Sequence, residues 1–225
     1  MNDTLFAKID PDFKRDELIT LMGGGKSRKF SHSVQIKIGK LEARLRKLMK
    51  PRLSYRTEKI ESINGKVVHL LKGLSFTSKK LSKTMENCDE ITCFIATIGD
   101  GIEKEIALLT DDNRLSDAYI IDSMGSAAVE KMAEKFHQDM RNRYIAEGKS
   151  VTMRFSPGYC DWPIEEQNKL FSFFDPASTG VELTDSCLML PRKSISGIFG
   201  ILPSNMPVYN PCSECGRTNC PHRRN

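Results

Sequence analysis

Ile121, Met124, Ala128, Met132, Phe136 and Met140 recur at three- and four-residue steps. That spacing predicts one long amphipathic helix over 115–146, whose apolar stripe has to be covered by other parts of the chain. Such a helix needs a partner surface of comparable extent, and the rest of the sequence supplies strands for it. Cys88 to Ile98 reads as a buried strand that runs into a helix near 101–109. In RTEKIESINGKVVHLLKG, Asn64-Gly65 separates two strand-like runs, the signal of a two-residue hairpin. Residues 31–49 carry a loosely helical pattern stopped by Pro51, and 12–22 reads as a short helix closed by Gly23-Gly24-Gly25. After the long helix, EEQNKLFSFF predicts a short helix. GVELTDSCLML and SISGIFGIL predict two strands joined at Pro191-Arg192-Lys193. Strands and helices mixed without a regular βαβ rhythm predict an α+β fold with antiparallel pairing.

Three regions are expected: an N-terminal helical and β region with a basic segment (1–110), a core (111–203), and a cysteine-rich tail (204–225). No run of 18 apolar residues exists, so no membrane span is expected. The N-terminus lacks the apolar stretch of a signal peptide, and seven cysteines suit thiols or metal ligands better than disulfides. The cytoplasm is the expected compartment. From Lys26 to Lys59, twelve Lys and Arg face two Glu, a local balance of +10. This segment is either a solvated face or a docking surface for an anionic partner.

MGGGKS lacks the earlier glycine and the preceding strand of a phosphate-binding loop, since Thr20 stands where that glycine belongs. No serine, histidine and acid are arranged for nucleophilic catalysis, and His137 is expected on the polar surface of the long helix. Cys88, Cys93 and Cys187 sit in strand-like contexts that predict core positions. The tail differs. Cys212, Cys215 and Cys220, at C-x2-C-x4-C in a segment without hydrophobic content, have no packing role and can wrap zinc or an iron–sulfur cluster. The fourth ligand is His222 or a thiol elsewhere, Cys160 being the attractive candidate.

RFSPGYCDWP (154–163) joins a cation, a flexible glycine, two prolines, a tyrosine, a thiol and the only tryptophan. It precedes GVELTDSCLMLPRKSISG. Arg154, Gly158, Tyr159 and Pro163, then Gly180, Leu183, Thr184, Ser186, Met189, Pro191, Ser194, Ser196 and Gly197, make two ordered motifs. Together they resemble the activation domain of cobalamin-dependent methionine synthase over roughly 115–203. The resemblance implies a bent antiparallel sheet with flanking helices. It also implies an S-adenosylmethionine site involving Glu130, Arg154, Phe155, Gly158 and Tyr159. It further implies service to the cobalamin of a corrinoid methyltransferase, such as a methionine synthase lacking its own activation domain, with an electron from a flavodoxin- or ferredoxin-like donor.

The chemistry of the residues agrees. Arg154 suits the ligand carboxylate, Glu130 its ammonium or a ribose hydroxyl, and Tyr159 the adenosyl end. Gly158 and Pro157 stiffen the loop. The motif departs from the family in Cys160-Asp161-Trp162, where Pro-Ala-Cys is usual, and Tyr209 and Glu147 match family ligands only loosely. The family domain has no cysteine tail. The job of restoring an inert Co(II) corrinoid needs an electron as well as a methyl group, which favours iron–sulfur over zinc for Cys160, Cys212, Cys215 and Cys220. A different reading is a zinc- or cluster-bearing adaptor that binds an anionic partner such as RNA through the basic segment.

Overall fold

The computed structural model describes residues 5–6, 30–210 and 214. The helix expected over 12–22, its glycine stop, and Cys212, Cys215, Cys220 and His222 lie outside the described residues. The chain forms β1 (Leu5–Phe6), α1 (His32–Leu48), β2 (Arg52–Asn64), β3 (Val67–Leu70), β4 (Ser75–Thr77) and α2 (Lys79–Met85). It continues through β5 (Glu90–Thr97), α3 (Gly101–Asp111), α4 (Leu115–Ala146), β6 (Lys149–Val151), a 3-10 turn (Ile164–Glu166), α5 (Gln167–Ser172) and α6 (Pro176–Thr179). A small pair, β7 (Glu182–Leu183) and β8 (Met189–Leu190), precedes the last long strand, β9 (Ser194–Pro203).

The architecture is α+β: a bent antiparallel sheet with flanking helices. The strand order is β4-β3-β2-β5-β9-β6, with β1 added to β2. The sheet therefore takes strands from both the 1–110 and the 111–203 stretches. Central β5 is buried on both faces, which explains why ITCFIAT is apolar without alternation. Phe94 and Ala96 face one core with α1, α3 and α4. Ile91, Cys93 and Ile95 face a second core with α2, α5 and the 154–163 loop. The hairpin at Asn64-Gly65 forms as the sequence predicts, with Gly65 at φ +60°.

α4 spans 115–146, as its periodicity requires, and lays Met124, Ala128, Met132 and Phe136 on the sheet. Phe136 is the centre of that contact, with ring centroids 5.1 Å from Tyr55, 5.5 Å from Phe94 and 5.9 Å from Phe199. Truncating it would cost about 3–5 kcal/mol. Ion pairs fasten the helices to one another: Lys37 to Asp117 at 2.7 Å and Arg44 to Glu105 at 2.6 Å. Arg56 is buried over the Phe173 ring and donates to the Phe173 carbonyl. Part of the basic segment thus serves internal contacts, whereas Lys40, Lys47 and Lys50 stay on the surface.

Two expectations are corrected. Gly180–Leu190 is not one strand. Thr184 accepts from the Leu188 amide through its hydroxyl and receives the Cys187 amide on its carbonyl, folding the segment into the β7–β8 pair. His137 is not a surface histidine: its ring packs edge-on to Phe199 at 5.0 Å, and Nε2 lies 2.8 Å from the Thr152 carbonyl. A carbonyl can only accept, so Nε2 carries the proton.

Candidate functional site

The long helix and the segment after β6 meet because β9 aligns them. Lys149–Val151 pairs with β9, Thr152 exchanges hydrogen bonds with Gly200, and Phe155 exchanges both backbone bonds with Ile198. His137, seven residues along α4 from Glu130, holds the Thr152 carbonyl against the helix. With residues 152 and 155 fixed, Arg154 points back at α4, and its Nη2 lies 3.4 Å from Glu130 Oε2. The Arg154 side chain is 10% exposed and that of Glu130 51%. One end of the pair is therefore seated in the protein and the other open to solvent.

Beyond Arg154 the loop is held stiffly. Gly158 takes φ +88° and donates to the Trp162 carbonyl at 2.8 Å, while the Trp162 amide returns to Tyr159. Trp162 is the plug: it is 1% exposed, stacked on Phe155 at 5.7 Å and edge-on to Phe76 at 5.4 Å. Asp161 anchors the far side by capping α2. It receives Ser78 Oγ at 2.7 Å, the Lys79 amide at 2.8 Å and the Lys80 amide at 3.2 Å. Burial alone would raise the Asp161 carboxyl, but the bonds from Ser78 and the Lys80 and Lys79 amides leave it below its ordinary value. Tyr159 and Cys160 sit exposed at the tip between these anchors, Cys160 at φ +54°.

The second motif supports the first. A Cβ on Gly197 would stand 2.9 Å from Ser156 Oγ and 3.1 Å from the Phe155 carbonyl, so only glycine lets β9 approach the loop this closely. Ser196 Oγ donates to Gln167 Oε1, and Gln167 Nε2 donates to the Cys187 carbonyl, which ties α5 to the β7–β8 turn. Gly180, at φ +65°, ends α6 against Arg52.

Of the residues singled out in the sequence, the fold brings Glu130 and Arg154 into contact, and it leaves Gly158 and Tyr159 exposed on the loop that follows Arg154. The Phe155 side chain instead lies in the second core, 5% exposed. Glu147 pairs with Arg143 at 3.4 Å, and Tyr209 lies against α2. Cys88, Cys93 and Cys187 are buried; desolvation pushes the Cys88 thiol up to about 12 and that of Cys93 higher still, so neither is a ready ligand. Among the described residues no three His, Cys, Asp or Glu are grouped to hold a metal ion, and no helix is long and apolar enough to cross a membrane. Sequence reasoning missed His137 and Lys193. Lys193, nearly buried, places Nζ 2.8 Å from Asp122 and 2.9 Å from Ser126, which with Glu130 form one stripe of α4. The four-residue spacing of 122, 126 and 130 was the available signal.

The family model of the vitamin B12 dependent methionine synthase activation domain matches residues 80–220. The chain belongs to this family. The matched span of the activation domain contains α4, the loop and both motifs. A solved structure described as the MetH reactivation domain bound to AdoHcy superposes with a TM-score of 0.63 at 16% identity, covering 93% of this chain and 80% of that one. The activation-domain fold therefore extends beyond the matched span to the N-terminal strands. No curated protein sequence matches this chain.

Proposed function

We propose that this chain binds S-adenosylmethionine on the surface between α4 and the 154–159 loop. In this reading it presents the ligand's methyl group to the cobalamin of a corrinoid methyltransferase acting in trans. The observation that carries the reading is the contact of Arg154 with Glu130, on the chain segment that leads into the exposed Gly158-Tyr159 turn. S-adenosylmethionine ends in a carboxylate and an ammonium, and an arginine with a carboxylate 3.4 Å away offers the complement of both. A bound zwitterion would exchange this long, half-exposed pair for two shorter ones. Tyr159 gives its ring and hydroxyl to the adenosyl end. Phe155 contributes by fixing the loop backbone between Ile198 and Trp162.

The chemistry supplied from outside would be a reduced corrinoid as methyl acceptor, with the electron for its reduction drawn from a flavodoxin- or ferredoxin-like donor. The partner's corrinoid would accept the methyl group, while Arg154, Glu130 and Tyr159 of this chain would hold the methyl donor. This chain's residues bind, orient and shield the donor; the corrin carries the reaction. The solved relative's AdoHcy complex supports the choice of ligand class. Titration calorimetry with S-adenosylmethionine, set beside a salt-dependent nucleic-acid shift assay, separates this reading from an RNA-binding adaptor. Saturable binding of the nucleoside ligand and none of nucleic acid supports the proposal, and the reverse overturns it.

A further inference from the structure

The face of the sheet turned away from α4 carries charges that the Arg154–Glu130 contact does not use. Arg56 and Glu58 lie two apart on β2 and so share one face of the sheet. Arg56 is buried there, its guanidinium carbon 4.1 Å above the Phe173 ring, and it donates to the Phe173 carbonyl at the end of α5. The turn between β3 and β4 folds over the same face, closed by the Gly73 amide, which donates to the Leu70 carbonyl at 2.9 Å with Gly73 at φ +79°. From this turn Lys72 brings its ammonium to 2.9 Å from Glu58 Oε2. The distance is that of an ion pair, but the hydrogen-bond alignment is lacking, and Glu58 Oε2 is buried without a hydrogen-bond donor. Glu58 thus holds Lys72 in place by charge without fixing the direction of its protons.

A cavity of about 260 Å³ opens between these groups, lined by Arg56, Lys72, Gly73, Leu74, Ser172 and Phe173. Capping of α5 accounts for a buried Arg56. It does not account for a second cation, held over the same cavity by a carboxylate that is itself mostly buried. Arg56 and Lys72 against Glu58 leave one positive charge, which a single carboxylate neutralises. The planar guanidinium matches a carboxylate in shape, and Leu74 and Phe173 add apolar wall beside it. An apolar cavity of about 150 Å³ admits benzene, so this one has room for an acid with one ring.

We propose that this cavity is a second binding site, for a small carboxylic acid with an apolar body, taken up as its anion. Arg56 and Lys72 receive the carboxylate, and Leu74 and Phe173 cover the hydrocarbon. The site goes beyond the S-adenosylmethionine reading and does not rest on it, since none of its lining residues belongs to that surface.

The test is amide-resolved NMR of the full chain titrated with sodium benzoate, and in parallel with benzyl alcohol and with inorganic phosphate. Benzoate should give saturable shifts centred on the Gly73, Leu74, Ser172 and Phe173 amides, benzyl alcohol none, and phosphate weaker ones. Lys72→Gln should weaken benzoate about fivefold, as the loss of a half-exposed charge does, and Lys72→Arg should restore it. The wild-type map needs no variant, so a poorly folded Lys72→Gln chain leaves the test intact. Absence of benzoate shifts at these amides overturns the proposal, as does an equal response to benzyl alcohol. Tighter binding of phosphate than of benzoate overturns the carboxylate class, and unchanged benzoate affinity in a folded Lys72→Gln chain overturns the role of the second cation.

Discussion

Arg154 Nη2 and Glu130 Oε2 stand 3.4 Å apart across 24 positions of sequence, one side chain seated in the protein and the other half in solvent. The pair is long for a charge-assisted bond, whose usual N–O separation is about 2.7–2.9 Å. It joins the helix that carries the main core to the loop that Trp162 and Asp161 hold rigid. A surface pair of this kind contributes only about 0–1 kcal/mol to stability. In the proposed function the pair would face the zwitterionic end of the ligand.

Glu130→Gln should therefore leave the melting temperature close to that of the wild type. It should weaken S-adenosylmethionine binding about tenfold, as loss of one charged hydrogen bond of ~1.5 kcal/mol requires. Parallel thermal unfolding and calorimetry check this. A large loss of stability with unchanged affinity would make Glu130 a structural residue.

Gly197→Ala should be damaging despite its small size. The added methyl meets Ser156 Oγ, the Phe155 carbonyl and Phe94, and two of these belong to the loop. Overpacking of this kind costs about 1–3 kcal/mol. For a chain of this length that lowers the melting temperature by a few degrees, at roughly 2–4 °C per kcal/mol. Ligand affinity should fall with it, since the loop has to move.

Asp117 links α1 to α4 and gives the fold a measurable acid dependence. The Lys37 ammonium, and with it Arg114, hold its carboxyl below the usual range although burial opposes them. A lowered folded pKa means stability present above the unfolded value near ~3.9 and lost as pH falls through the folded one. Asp117→Asn should cost about 1 kcal/mol at neutral pH, as removal of a charged hydrogen-bond acceptor does. Denaturant midpoints of the two proteins should begin to converge as pH falls below about 4, the ordinary aspartate value, and meet only below the lower folded value.

Lys47 and Lys50 remain exposed where other members of the basic segment are engaged inside the fold. Reversing both to Glu should slow association with an acidic corrinoid partner, and raised salt should slow the wild type in the same way. Stopped-flow association rates that respond to neither change would reduce this segment to a solvated face.

The parts of the fold legible in the sequence are those with a strong period or a single dominant turn. α4 is read to its ends from its apolar stripe, and the Asn64-Gly65 hairpin from its two turn residues. The β7–β8 pair is not legible, because the Thr184 side chain breaks what propensity alone takes as one strand. His137 is missed for a related reason: its helix position looks polar, and only the approach of Thr152 and Phe199 half-buries it. In the site, Arg154 and Glu130 are recognisable by motif, but their contact depends on β9 aligning two distant segments. Lys193 carries no local pattern; only the fold reveals that it lies along the same stripe of α4.

The central claim is that Arg154 binds the carboxylate of S-adenosylmethionine, and titration calorimetry of this ligand into wild type, Arg154→Ala and Arg154→Lys tests it most directly. The account predicts saturable binding to the wild type and a loss of more than tenfold in Arg154→Ala, from a charge-assisted bond of ~1.5–3 kcal/mol. Arg154→Lys should recover only part of that loss, since an ammonium cannot reproduce the two-pronged contact. Equal affinities for wild type and Arg154→Ala, or no binding heat in the wild type, would contradict it.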